Sequence, residues 1–250
     1  MLFRSDAIQK SAPDGYTLLI MSGGLWLFPF MASVNYDMNR DFVPISLVVK
    51  SPNVLVVHPS LPAKSVKELI AIARARPGQL NYSVGGLGGM SHLSVELFKK
   101  MAGVDMVMVN YKSGSQEIAD LIGGQVQLAF NPAGSAAPHV KSGKLRGLAV
   151  TTAEPSALFP GLPTIAASGL PGYEAVSTYG VFAPAKTPEA IIRRINQEVV
   201  RFVNTAEARE RFLNGATEPV GSTPDAFAAS IKSDMSKWGK MIQDAGIRDE

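Results

Sequence analysis

Short apolar runs alternate with stretches of helical periodicity along this chain, and that alternation restricts the fold more than any other feature. Runs at 16–21, 45–49, 54–57, 81–84, 105–109, 126–130, 145–151 and 176–182 have the length and the β-branched and aromatic content of strands. Helices with legible ends stand between them. Ser65 and Glu68 have the S-x-x-E spacing of a capping box, Val66, Leu69, Ile70 and Ala73 share one face, and Pro77-Gly78 ends the segment. Ser91 reads as the cap of a second helix carrying Leu93, Leu97, Phe98 and Met101. Thr187-Pro188 opens a third, through Ile192, Ile195, Val199 and Phe202, and a fourth runs from about Pro224 to Ala245 with Phe227, Ile231, Met235, Trp238 and Ile242 on one side. Alternating elements with mostly buried strands predict an α/β protein built on doubly wound parallel sheets. The Pro- and Gly-rich stretch from Pro155 to Gly172 is expected to be irregular.

Composition narrows the possible chemistry. The chain has 250 residues, 46% hydrophobic and 18% charged, enough for a sizeable core in two lobes or one large unit. Its longest apolar run, Leu25 to Ala32, is interrupted by Pro29 and falls far short of the ~20 residues of a membrane-spanning helix. With no cysteine, disulfides, thiol catalysis and cysteine-held metals are excluded. Lys plus Arg number 24 against 21 Asp plus Glu, a dispersed excess that gives no nucleic-acid footprint. Met1 to Ser11 lack the apolar core of a secretory leader.

The best local signal for a ligand is the loop Gly85-Gly86-Leu87-Gly88-Gly89-Met90-Ser91, which follows the strand containing Ser83 and opens a helix. Glycines let backbone N–H groups approach a ligand, and a helix N-terminus carries partial positive charge, so the unit suits a phosphate or a carboxylate. Ser113-Gly114-Ser115 repeats the geometry after the strand at 105–109, although Ser115 can equally be a plain helix cap. Loops of this kind at the carboxyl ends of parallel strands converge on one ligand in open α/β sheets. Ser22-Gly23-Gly24 forms a comparable loop early in the chain, and Asn131 and Thr178 add polar groups at strand ends. Other readings stay open on residues alone. Gly86-x-Gly88 imitates a dinucleotide fingerprint but has Ser91 where the third glycine belongs, and no GK[ST] sequence occurs. Gly89-x-Ser91-x-Leu93 is one glycine short of a nucleophile elbow, and Ser91 and His92 point in different directions on a helix start. The three histidines, His58, His92 and His139, are too scattered for a zinc site, and no cofactor is implied.

Several ordered motifs then point to a family. Ala12-Pro13-Asp14-Gly15-Tyr16-Thr17-Leu18-Leu19, Tyr36-Asp37 with Asp41-Phe42, Ser91-His92-Leu93 with Glu96-Leu97-Phe98, Tyr111-Lys112, Gly123-Gly124-Gln125-Val126 and Gly180-Val181-Phe182-Ala183-Pro184 resemble, in order and spacing, the Bug-type substrate-binding proteins of tripartite tricarboxylate transporters. The resemblance implies a two-lobed periplasmic-binding-protein-like (type II) α/β fold, no enzymatic activity, a periplasmic location, and a monomer that takes a di- or tricarboxylate or related acid to membrane permease subunits. It assigns Gly85, Gly86, Gly88, Gly89, Met90 and Ser91, with Ser113 and Gly114, to ligand binding in a second lobe at 53–179, where Ser83 and Asn131 are added as candidates on their own residues. Ser22, Gly23, Gly24 and Thr178 are the further ligand-binding candidates, the first three in a first lobe formed by 1–52 and 180–250. Hinge crossings are expected near Val54 and Tyr179. In the family a further strand and ligand loop precede the Ala-Pro-Asp-Gly-Tyr motif, which here starts at residue 12, so the first lobe is expected to lack a segment and Met1–Ser5 to be foreign to the family. Asn131 is neutral, which favours a plain carboxylic acid over an amino acid. The runner-up is an α/β enzyme using the glycine loop for a nucleotide or Ser91 as nucleophile. An effector-sensing domain of a regulator is a third reading, disfavoured by the lack of a helix-turn-helix.

Overall fold

The computed structural model describes residue 8 and residues 10–248. Met1–Ser5, set apart in the sequence, lie outside the described residues. The chain forms two compact units, one of residues 1–50 and 177–250 and one of residues 51–176. The chain therefore passes from one unit to the other at Lys50–Ser51 and at Val176–Ser177.

The unit of residues 51–176 is a sheet with helices between its strands. Strand β2 (Phe42–Val57) enters it, followed by helix α3 (Val66–Ala75), β3 (Asn81–Val84), α4 (Met90–Ala102), β4 (Val107–Asn110), α5 (Gly114–Ile122), β5 (Leu128–Pro132), α6 (Ala133–Lys141) and β6 (Arg146–Val150). The sheet runs β2-β5-β3-β4, with β6 also paired to β2. Only part of it is parallel. β3 pairs in parallel with β4 and β5, whereas β2 is antiparallel to both β5 and β6, with an irregularity at Leu55/Val56. The expectation of all-parallel sheets fails at β2 because one strand feeds both units. The segments at 45–49 and 54–57, separated in the sequence by Pro52, are one strand of 16 residues. Proline breaks the ladder only locally, and the neighbouring Asn53 N–H donates to Thr151 Oγ1 at 2.9 Å. β4, expected to be buried, is an edge strand with Val107 at 43% and Met108 at 39% exposure. The core holds Phe98 against Phe130, with ring centroids 5.6 Å apart, and the fully buried Leu55, Leu69 and Leu93. Residues 155–172 are turns and bends, as the sequence predicts.

The other unit contains β1 (Leu19–Ser22), the short helices α1 (Gly24–Leu27) and α2 (Met38–Asp41), the first part of β2, β7 (Val176–Pro184), α7 (Glu189–Val203), α8 (Ala206–Asn214), β8 (Glu218–Pro219) and α9 (Pro224–Asp244). β1 lies antiparallel to β7, from Leu19 opposite Phe182 to Ser22 opposite Tyr179, and β8 is antiparallel to β2. Trp26, Phe182 and Phe227 form an aromatic core, with centroids 5.1 to 6.1 Å apart. Gly180 is required there, since a Cβ would stand 2.1 Å from Phe227 Cζ.

Helix ends follow the sequence with instructive exceptions. Ser65 Oγ accepts from the Glu68 N–H at 3.2 Å, but Glu68 reaches back to the Lys64 N–H at 2.6 Å, one residue beyond the reciprocal partner of a capping box. The cap of α4 is Gly89, so Ser91 sits inside the first turn and does not cap it. α5 is capped by Ser113, whose Oγ accepts from Gln116 N–H at 3.4 Å, and Ser115 lies inside the helix. Pro188, not Thr187, precedes α7, and Thr187 Oγ1 donates to Pro184 O at 2.8 Å. The apolar stripe of α7 fades along its length, from Ile192 at 5% to Phe202 at 55% exposure. Thr223 caps α9 by accepting from Ala226 N–H at 3.2 Å, with Pro224 at the first helical position.

Candidate functional site

Two strand–glycine–helix loops meet in the unit of residues 51–176. The strand-end loop Gly85–Gly89 leads into α4, and Ser113-Gly114 after β4 leads into α5. β3 and β4 are adjacent and parallel, so both loops leave the same edge of the sheet. They lie close together: a Cβ on Gly85 would stand 3.7 Å from Gly114 Cα. Gly85, Gly86, Gly89, Ser113 and Gly114 are exposed. Gly86 has nothing within 4 Å of where a Cβ would stand, so there is open space on that side of it. Backbone donors at two helix N-termini in open space suit an anion with more than one oxygen.

Not every amide of the first loop is available. Gly88, which turns the chain at φ 70°, donates its N–H to His92 Nδ1 at 3.1 Å. His92 is 4% exposed. Burial is the largest cause holding its imidazole below the usual histidine range, so the neutral ring accepts this bond and cannot act as a base toward Ser91. Gly88 thus shapes the loop, and its own N–H is spent inside the protein.

Beneath the loops lies a polar cluster. Glu117, on the first turn of α5, is 4% exposed. Its Oε1 accepts from Ser83 Oγ at 3.0 Å and from Asn131 Nδ2 at 3.0 Å. Its other oxygen lies under Gly85, where a Cβ would come within 2.6 Å of Oε2. Burial pushes the Glu117 carboxyl above the usual range, partly offset by the Ser83 and Asn131 hydrogen bonds. Ser83 and Asn131 are each 1% exposed, and Asn131 Oδ1 is buried with no partner among the described residues. Glu117 was missed in the sequence. Its signal was there, since Glu117 stands four residues before the fully buried Leu121 and so on the inward stripe of the helix.

In the other unit, Ser22, Gly23, Gly24 and Thr178 come together at the end of β1. Gly23 N–H donates to Thr178 O at 3.0 Å, and a Cβ on Gly23 would meet Trp26 Cζ2 at 3.4 Å and Thr178 Oγ1 at 3.6 Å. The helix that follows has only four residues, and behind it Trp26 Nε1 donates to Asp234 Oδ2 at 3.3 Å. Among the described residues no group of three or more His, Asp or Glu side chains is placed to hold a metal ion. Met90 and Ser91, at the opening of α4, are half-buried.

Comparison with known proteins identifies the family and the fold. Residues 2–247 match the family model described as the tripartite tricarboxylate transporter family receptor. The protein BugT of Bordetella pertussis is 34% identical over 247 residues, covering 98% of this chain and 76% of BugT. A solved structure described as R. palustris Rpa4515 with adipate has a TM-score of 0.84 at 35% identity, covering 98% of this chain and 83% of that one. MatC from Rhodopseudomonas palustris with bound malate has a TM-score of 0.76 at 25% identity, covering 96% of this chain and 84% of that one. The fold is the two-lobed α/β fold of periplasmic binding proteins, and these neighbours are substrate-binding receptors rather than enzymes, which sets aside the nucleotide and Ser91-nucleophile readings. The chain belongs to the receptor family of the tripartite tricarboxylate transporters.

Proposed function

We propose that this chain captures a small organic carboxylate, a di- or tricarboxylate or a related acid, and presents it to the membrane subunits with which its family works. The observation that carries this reading is the pair of neighbouring glycine loops at the N-termini of α4 and α5, where a Cβ on Gly85 would stand 3.7 Å from Gly114 Cα and nothing lies within 4 Å of where a Cβ on Gly86 would stand. Oriented N–H groups at two helix starts supply the donors that a carboxylate needs. The ligands carried by the similar structures, adipate and malate, are small dicarboxylates and support the same class. In this reading Gly85, Gly86, Gly89, Met90, Ser91, Ser113 and Gly114 contact the carboxylate. Ser83 and Asn131 support them from below, and Gly88 holds the turn. Ser22, Gly23, Gly24 and Thr178 form the analogous loop of the other unit, and substitutions there show whether they contribute. Receptors of this family are periplasmic, and we assign the same compartment and a monomeric state to this chain.

Isothermal titration of the purified protein with dicarboxylates and tricarboxylates of four to six carbons tests the assignment. Saturable binding of at least one of them, lost in Gly86→Trp, is expected. Failure of every acid to bind, or undiminished binding in Gly86→Trp, overturns it.

A further inference from the structure

A buried carboxyl group stands beside loops that suit an anion. Glu117 is on the first turn of α5, the helix opened by the second loop, and is 4% exposed. A Cβ on Gly85 would come within 2.6 Å of its Oε2, and Gly85 is itself exposed, so this oxygen is one residue away from the surface of the first loop. Its neighbours are neutral. Oε1 receives Ser83 Oγ from β3 and Asn131 Nδ2 from β5, each at 3.0 Å. Tyr111, after β4, keeps its hydroxyl proton, which burial and the nearby Asp120 and Glu117 hold more tightly. His92, on α4, is kept neutral by burial and accepts from Gly88. Among the described residues no lysine or arginine counters the Glu117 charge. A second observation points to a proton. Asn131 Oδ1 is buried without a partner among the described residues, and it shares its carbon with the Nδ2 that meets Glu117, which keeps it next to the same carboxyl. A carboxylate has no hydrogen to give that oxygen, whereas a protonated carboxyl has an O–H to donate.

We propose that this receptor takes up a proton at Glu117 when it captures its acid, so that ligand and proton bind together. The inference rests on the carboxylate reading above and deepens it. A ligand carboxylate at the loops adds a second negative charge near an ionised, poorly solvated Glu117, and like charges in such surroundings favour protonation of one of them. One proton drawn from water leaves Glu117 neutral, removes the repulsion and gives the amide oxygen of Asn131 a donor. The effect is reciprocal: the ligand tightens the hold on the proton, and the proton tightens the hold on the ligand. Affinity is therefore highest below the pH at which the free receptor releases the Glu117 proton, falls as the pH rises from that value to the higher one of the liganded receptor, and levels off above it. Burial already sets the free value above the ordinary glutamate range, so the fall lies above that range too. Glu117 does not touch the ligand in this account and acts through its charge.

Isothermal titration with adipate, malate and citrate from about pH 5.5 to about pH 8.5, in buffers of unlike ionisation enthalpy, tests the coupling. Glu117→Gln keeps an oxygen for Ser83 and Asn131 and an N–H donor in place of the acid proton, so it imitates the neutral form at every pH. Titration of the acids themselves is common to both proteins and cancels between them. The ratio of wild-type to Glu117→Gln affinity is expected to fall at least fivefold across this range, and the wild type to take up more protons per ligand than Glu117→Gln, by up to one. In His92→Gln, which removes the other titratable group of the loop, the uptake is expected to persist, and its loss there overturns the inference. A constant affinity ratio with equal proton uptake also overturns it and leaves a carboxylate receptor. If Glu117→Gln is unfolded by circular dichroism, the wild type and His92→Gln decide: proton uptake in both, corrected for the titration of the acids, supports the inference, and its absence from either overturns it. Failure of all three acids to bind overturns it as well, and failure of every acid in the wider series removes the carboxylate reading with it.

Discussion

The same local pattern, a strand followed by glycines and a helix start, occurs in both units and is backed by opposite materials. Behind Ser22-Gly23-Gly24 stands an aromatic core of Trp26, Phe182 and Phe227, with Trp26 fully buried. Behind Gly85–Gly89 stand Ser83, Glu117, Asn131 and His92, all buried and all polar. The first loop is held by dispersion and hydrophobic burial, which do not depend on pH. The second is held by hydrogen bonds that depend on two titratable groups. A glycine loop is therefore not one device: what lies under it decides whether it is a rigid corner or a tunable one.

Substitutions can break this contrast. The largest effect is expected from Trp26→Ala, which removes the centre of the aromatic core and should lower the unfolding free energy by about 3–5 kcal/mol in urea titration. A cost below that of any change under the other loop would show that the aromatic cluster is not what holds the first unit. Gly85→Ala drives a methyl group to within 2.6 Å of the buried Glu117 Oε2 and should cost about 1–3 kcal/mol. Its effect should shrink in a Glu117→Ala background, and strict additivity would count against the contact as the cause.

The pH dependence sharpens the contrast further. Glu117 titrates above its ordinary value in the folded protein, so the folded state holds the proton more tightly than the unfolded chain. Stability on this account falls as the pH rises from the ordinary glutamate value of about 4.3 through the raised one. Burial also raises the hydroxyl of nearby Tyr111, with Asp120 and Glu117 adding to the shift, but that proton stays on throughout this window. His92 acts in the opposite sense. Its folded value is depressed, so the stability it contributes is present above about pH 6.5 and is lost as the pH falls through that value toward the depressed one. Glu117→Gln should flatten the loss of stability that sets in as the pH rises above about 4.3, and His92→Gln the loss that sets in as the pH falls below about 6.5, both read as Tm against pH. An unchanged profile in both would leave the second loop no more pH-sensitive than the first. The smallest expected effect on stability, within about 0.5 kcal/mol, belongs to Gly86→Ala, because nothing lies within 4 Å of the added Cβ. Gly86→Trp, by contrast, should weaken acid binding at least tenfold, and a large loss of stability in Gly86→Ala would show that Gly86 serves the fold.

The strands of the second unit and its helix faces were legible because periodicity reports burial: Val66, Leu69 and Ala73 of α3 are buried as their spacing requires. What escaped was direction and pairing. The strand from Phe42 to Val57 read as two because Pro52 interrupts it, and its antiparallel pairing with β5 and β6 depends on how the chain traverses both units. Caps were misplaced by one or two residues at Ser91, Ser115 and Thr187, because several small polar residues in a row offer equivalent local choices and packing selects among them.

The sequence by itself determined the α/β class, the two glycine loops ahead of helices and the family, since each is written in local spacing or in motifs tens of residues long. Only the tertiary structure decided that Glu117, Ser83 and Asn131 form one buried hydrogen-bonded cluster, that Gly88 spends its N–H on His92, and that one oxygen of Asn131 is left over. These residues are up to 48 positions apart in the chain, from Ser83 to Asn131. Hydrogen bonds between side chains on different strands leave no periodic trace in a sequence, because their partners are chosen by the sheet register and by burial, and both are properties of the folded chain.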